Sequence, residues 1–201
     1  MARVIESINL IWRRPGCRGG RATLIGRGLK VKFIVADYLD EEHCPSPETI
    51  AQRYSATLPQ VYAALAYYYE NKSEIDEEID ADHRFKDLLD AQGPDAALAS
   101  LPPPVELDKP VIESLHLISR DTDRYHGSPC IDGTSVRVAD VVLAWRYREI
   151  DPQRIAEKYD LSLSQVFGAL AYYHERQTEI DAEIEYERYL KERQEAGLVP
   201  V

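Results

Sequence analysis

Leu65–Ile79 reads LAYYYENKSEIDEEI, and Leu170–Ile184 reads LAYYHERQTEIDAEI. Extended back to Ile50 and Ile155, the aligned stretches share 17 of 30 residues, the mark of a tandem duplication. The offset there is 105 residues. Nearer the N-terminus it becomes 107, where VIESINLI (Val4–Ile11) meets VIESLHLI (Val111–Ile118). The first copy therefore carries two extra residues, near Glu41–Cys44. Between the copies, Ala91–Pro110 (AQGPDAALASLPPPVELDKP) has the Pro, Gly and small residues of a linker, with extended backbone expected at Pro102–Pro104. The expected organisation is a first repeat at 1–90, a linker at 91–110, and a second repeat at 111–201 that ends in an acidic helix.

Each copy has the same internal order. A β-prone segment comes first. A glycine-punctuated segment follows, clearest as GSPCIDGTSVRV (Gly127–Val138), where Cys130–Ile131 and Val136–Val138 flank Asp132-Gly133 as two short strands or a hairpin. Three helices then follow. The first spans Val31–Leu39 or Val138–Tyr147. The second starts at Ser46-Pro47-Glu48 or Asp151-Pro152-Gln153, where a capping side chain precedes Pro at the first helical position. The third starts at Thr57 or Ser162. Its apolar stripe is Leu58, Val61, Leu65 and Tyr68, repeated as Leu163, Val166, Leu170 and Tyr173. Neither Gly nor Pro interrupts it for several turns, so a continuous helix running through the acidic phrase is expected. Gly168 within it should cost about 1 kcal/mol relative to Ala.

Composition excludes several classes. A hydrophobic content of 44% supplies a core, and 29% charge fits a folded chain. The absence of a long apolar run or a secretory h-region points to a cytoplasmic protein that spans no membrane. Cys17, Cys44 and Cys130 are widely spaced, which fits free thiols. The net charge of −11 opposes nucleic acid in general. It is unevenly spread, however: Met1–Lys32 holds eight basic residues and one acid. There is no GxSxG, HExxH or P-loop, and no His pairs with another His or Cys at metal-ligand spacing. A non-enzymatic protein without cofactor or metal is expected.

IAQRYSATLPQVYAALAYY and IAEKYDLSLSQVFGALAYY have the outline of a helix-turn-helix. Together with the glycine segment, this order resembles the DUF433 family. The second copy carries the resemblance through Gly127, Pro129, Ile131, Gly133, Thr134, Val136 and Val138, then Ile155, Tyr159, Leu163, Val166, Ala169, Leu170 and Ala171. The family has Arg after the Gly-Thr, where this chain has Ser135. The first copy departs further, with Gly26-Arg27-Gly28 and with Ala22 in place of Pro. The resemblance implies a mainly α fold: two tandem homeodomain-like trihelical domains, each preceded by short β-strands. It also implies a VapB-type antitoxin that neutralises a PIN-like ribonuclease toxin.

Two sets of residues follow from these readings. The nucleic-acid candidates are Arg13, Arg14, Arg18, Arg21, Arg27 and Lys30, which could meet phosphates of operator DNA, with Gln60 and Gln165 early on the third helices as base readers. The partner-interface candidates are Tyr68, Tyr69, Ile75, Ile79, Tyr173, His174, Ile180 and Ile184. Isoleucines four apart on an acidic helix call for a covering surface. That surface is either the other copy, as an intrachain pseudo-dimer, or a basic protein such as the toxin. A stand-alone helix-turn-helix regulator and a haem or small-ligand sensor are the alternative functions.

Overall fold

A computed structural model describes residues 3–195. The chain is mainly helical, with a small four-stranded sheet. It divides into two compact units. The first unit is Asn9–Leu115, and the second joins Met1–Ile8 to His116–Val201. The strand β1 (Val4–Arg13) therefore starts in the second unit and ends in the first. The strand β3 (Val111–Arg120) crosses in the opposite sense.

In the first unit the sheet order is β2-β1-β3, with β2 at Thr23–Leu24. β2 runs antiparallel to β1, Ile11 facing Leu24. Then come α1 (Val31–Tyr38), α2 (Pro47–Tyr54) and α3 (Leu58–Glu70). The predicted caps form: Ser46 Oγ accepts from the Thr49 N–H, and Thr57 makes a capping box with Gln60. α3 is buried at every position from Val61 to Tyr68, because it is the central element. α4 (Lys72–Gln92) and the short α5 (Pro94–Ala99) follow, so part of the stretch read as linker is helical.

In the second unit the order is β1-β3-β4, with β4 at Cys130–Ile131, antiparallel to β3. The expected second strand at Val136–Val138 is reduced to one isolated bridge, Cys130 to Arg137. The helix α6 (Val138–Val142) starts immediately after it. α6 runs on as a π-helical turn, Leu143–Tyr147. α7 (Pro152–Tyr159), α8 (Leu163–Glu175) and α9 (Gln177–Glu195) complete the unit. Gly168 on α8 has a role beyond a tolerated helix glycine. A Cβ there would lie 2.6 Å from Leu117 Cδ1 and 3.2 Å from Leu117 Cβ, so the bare backbone lets α8 approach β3.

The expected continuous third helix is broken in both repeats. Asn71 (φ −124°, ψ 37°) separates α3 from α4, and Arg176 (φ −129°, ψ 36°) separates α8 from α9. α4 then packs on α1, and α9 on α6. No local breaker causes the turn. Contacts of the tyrosines accompany it.

Candidate interaction site

The repeated phrase turns out to be a polar clasp. In the first unit, Arg13 Nη2 donates to the Tyr67 hydroxyl (2.6 Å) and to Glu74 (2.7 Å), while its Nε donates to Glu113 (2.7 Å). In the second unit, Arg120 Nη2 donates to the Tyr172 hydroxyl (2.6 Å) and to Glu179 (2.6 Å), and its Nε to Glu6 (2.8 Å). Each arginine thus joins the tyrosine and helix acid of its own repeat to the strand glutamate of the other repeat. The exchanged halves of β1 and β3 deliver those glutamates. The second tyrosine of each pair also reaches forward: Tyr68 donates to Asp76 (2.9 Å) and Tyr173 to Asp181 (3.0 Å). Tyr67, Tyr172 and Tyr173 are pushed up to about 12, first by burial. Burial also works against the Glu6 carboxylate, but the Tyr172 hydroxyl, Arg120 and Arg176 outweigh it and hold Glu6 below the usual range.

This arrangement relocates the candidate interface. Ile75 and Ile180 are fully buried, and Ile184 nearly so, because the helix break lays their helices back on α1 and α6. Tyr68 and Tyr173 are buried too, whereas Tyr69, Ile79 and His174 are half-buried. The His174 ring lies 5.6 Å from that of Trp145. The acids are engaged as well: Asp181 with Arg146, and Glu183 and Glu187 with Arg137. The residues predicted to meet a partner are thus mostly fold contacts. No sequence signal separated the two roles, since both call for apolar and acidic side chains on one helix.

The nucleic-acid candidates scatter. Arg13 sits inside the clasp. Arg14 stacks over Trp12, and Arg21 donates to the Pro103 carbonyl (3.2 Å) and pairs with Glu78. Lys30 is half-buried, and burial lowers its pKa. Arg18 and Arg27 are exposed. Gln60 and Gln165 lack the freedom a base reader needs. Gln60 Oε1 accepts from the Thr57 N–H (3.0 Å) and its Nε2 donates to the Ile25 carbonyl (2.9 Å). Gln165 repeats this with the Ser162 N–H (2.9 Å) and the Asp132 carbonyl (3.4 Å). Both ends of each amide are occupied, one at the turn that precedes the helix and the other on a carbonyl of the glycine segment.

Another surface lies along α9, and of the partner-interface candidates only the nearly buried Ile184 reaches it. A groove of about 670 Å³ runs between the π-helical turn and α9, with Leu143, Tyr147, Ile184 and Leu190 as its apolar lining and Arg188 and Lys191 at its edge. Tyr147, on the π-helical turn, is 50% exposed. π-helical turns recur at functional sites, and an exposed tyrosine in an apolar groove has the composition of a binding surface.

Residues 118–173 match the family model described as Protein of unknown function (DUF433). The match runs from the end of β3 through α8 and stops before α9. No curated protein and no solved structure matches the chain. Among the described residues, no helix is long and apolar enough to cross a membrane.

Proposed function

We propose that this chain is a non-enzymatic interaction module built from two tandem DUF433-like repeats of helix-turn-helix type. Its role is that of a VapB-type antitoxin, acting in the cytoplasm, that binds and neutralises a PIN-like ribonuclease. The observation that carries a protein-binding role is the α9 groove with its exposed Tyr147. The antitoxin class rests on the family resemblance.

Burial of α3 from Val61 to Tyr68, and of α8 from Val166 to Tyr173, weighs against a stand-alone DNA reader, since a helix enclosed on all faces has none to insert into a groove. Operator contact remains a secondary role, supported by exposed Arg18 and Arg27. It predicts binding to the chain's own promoter that weakens steeply with salt.

The test is inhibition of a PIN-like ribonuclease encoded beside this chain. The purified chain should form a stable complex with it and stop RNA cleavage. Tyr147→Glu, at an exposed position in the groove, should abolish both effects while leaving the circular dichroism spectrum unchanged. Full ribonuclease activity in the presence of excess wild-type chain would remove the antitoxin reading.

A further inference from the structure

The glycine loops of the two repeats share an unusual backbone. Arg18, Gly19 and Gly20 have positive φ (53°, 69° and 70°), and their counterparts Tyr125, His126 and Gly127 repeat it (49°, 54° and 81°). Non-glycine residues adopt this region at a steric cost, and such strain collects at binding sites. In the first unit the loop has an occupant. The Val105 N–H donates to the Gly19 carbonyl (2.8 Å), and Arg21 donates to the Pro103 carbonyl (3.2 Å). A Cβ on Gly20 would lie 2.3 Å from the Val105 carbonyl oxygen, so the glycine admits the segment Leu101–Val105 (LPPPV). In the second unit a Cβ on Gly127 would meet nothing within 4 Å. Tyr125, which replaces Arg18, is 44% exposed and stands 5.9 Å from the Arg137 guanidinium. A cavity of about 120 Å³ opens beside it, lined by Arg3, Asp121, Arg124 and Cys130 among others.

We propose that the Tyr125–Gly127 loop is a docking site for a proline-rich extended segment of a separate partner protein, with the pattern Leu-Pro-Pro-Pro-Val. The first repeat shows what this backbone holds: a preformed extended chain that donates one N–H to the loop carbonyl and crosses over the bare glycine. The change of Arg18 to Tyr125 supplies an aromatic face, the surface on which proline helices dock. Arg124 favours an acidic residue in the ligand, such as the glutamate that follows Val105 in the linker, since Arg3 is already paired with Asp132. The proposal is independent of the antitoxin reading, because the loop and the α9 groove have no lining residue in common.

The test uses the full chain and a labelled peptide of the linker sequence Ala99–Asp108 (ASLPPPVELD). The tethered linker holds the first loop at an effective concentration in the millimolar range, so added peptide reports on the second loop. Fluorescence anisotropy should show saturable binding, and amide shifts should map to residues 124–128. Tyr125→Ala, at an exposed position, should weaken binding on the order of tenfold. A peptide with its three prolines changed to serine should bind equally poorly. No binding at millimolar peptide, shifts that map elsewhere, or an unchanged affinity in Tyr125→Ala would overturn the proposal. So would self-association of the chain that disappears when Pro102–Pro104 are changed to serine, since a second copy would then be the occupant.

Discussion

Glu6→Gln should lower the melting temperature at neutral pH and do far less in acid. Glu6 accepts from the Tyr172 hydroxyl at 2.8 Å and from Arg120 Nε at 2.8 Å, and lies 3.2 Å from Arg176 Nη2. A hydrogen bond to a charged group contributes about 1.5–3 kcal/mol. Glutamine keeps the shape and one acceptor but loses the charge. The site is 20% exposed, so solvent screening reduces the effect. The net loss should be about 2 kcal/mol. For a chain of this size that corresponds to roughly 4–8 °C. The pH dependence has a definite sign. The folded pKa lies below the usual 4.5, so the charge contributes stability above 4.5 that is lost as pH falls through the folded value. Thermal unfolding followed by circular dichroism, at neutral pH and well below pH 4.5, reads both effects. Hydrogen exchange should place the loosening in residues 116–195, the unit that contains Glu6. An equal drop at both pH values would refute the ionic clasp, and loosening confined to residues 9–115 would refute the exchange of strands.

Gly168→Ala should destabilise despite better helix propensity, because overpacking against Leu117 costs about 1–3 kcal/mol and the helix gains only about 1 kcal/mol. An unfolding free energy raised by about 1 kcal/mol in a denaturant titration would contradict the close approach of α8 to β3. Tyr67, Tyr172 and Tyr173 titrate near 12 in the fold and near 10 when unfolded, so stability should fall as pH rises from 10 toward 12. Phenolate absorbance that rose fully at pH 10 in folded protein would show that these hydroxyls are not buried as described. Gln60→Ala and Gln165→Ala should each cost on the order of 1 kcal/mol, since each removes half of a capping box. Unchanged stability by chemical denaturation would restore these glutamines as free side chains.

The helical part of each repeat was legible because its signals are local. Ser46, Thr57, Asp151 and Ser162 cap the helices that the sequence places there, and the three-and-four spacing marks the buried stripe. The duplication was legible too, from identity alone. What depends on long-range geometry was not. Val136–Val138 alternates like a strand, yet its partner Cys130–Ile131 is too short to hold it and α6 takes over at Val138. The breaks at Asn71 and Arg176 carry no glycine or proline.

The repeated LAYY…EID phrase shows where the division lies. Its sequence by itself determined helical backbone with tyrosines beside an acidic run, since periodicity and residue chemistry are properties of neighbours along the chain, but not the breaks at Asn71 and Arg176. Whether those acids and isoleucines face a partner or their own fold was decided only by tertiary structure. Arg13 and Arg120 approach from strands more than fifty residues away and draw in tyrosine, helix acid and exchanged strand glutamate together. A guanidinium with several donors satisfies distant carboxylates at once, and no spacing within the phrase records where that guanidinium will be.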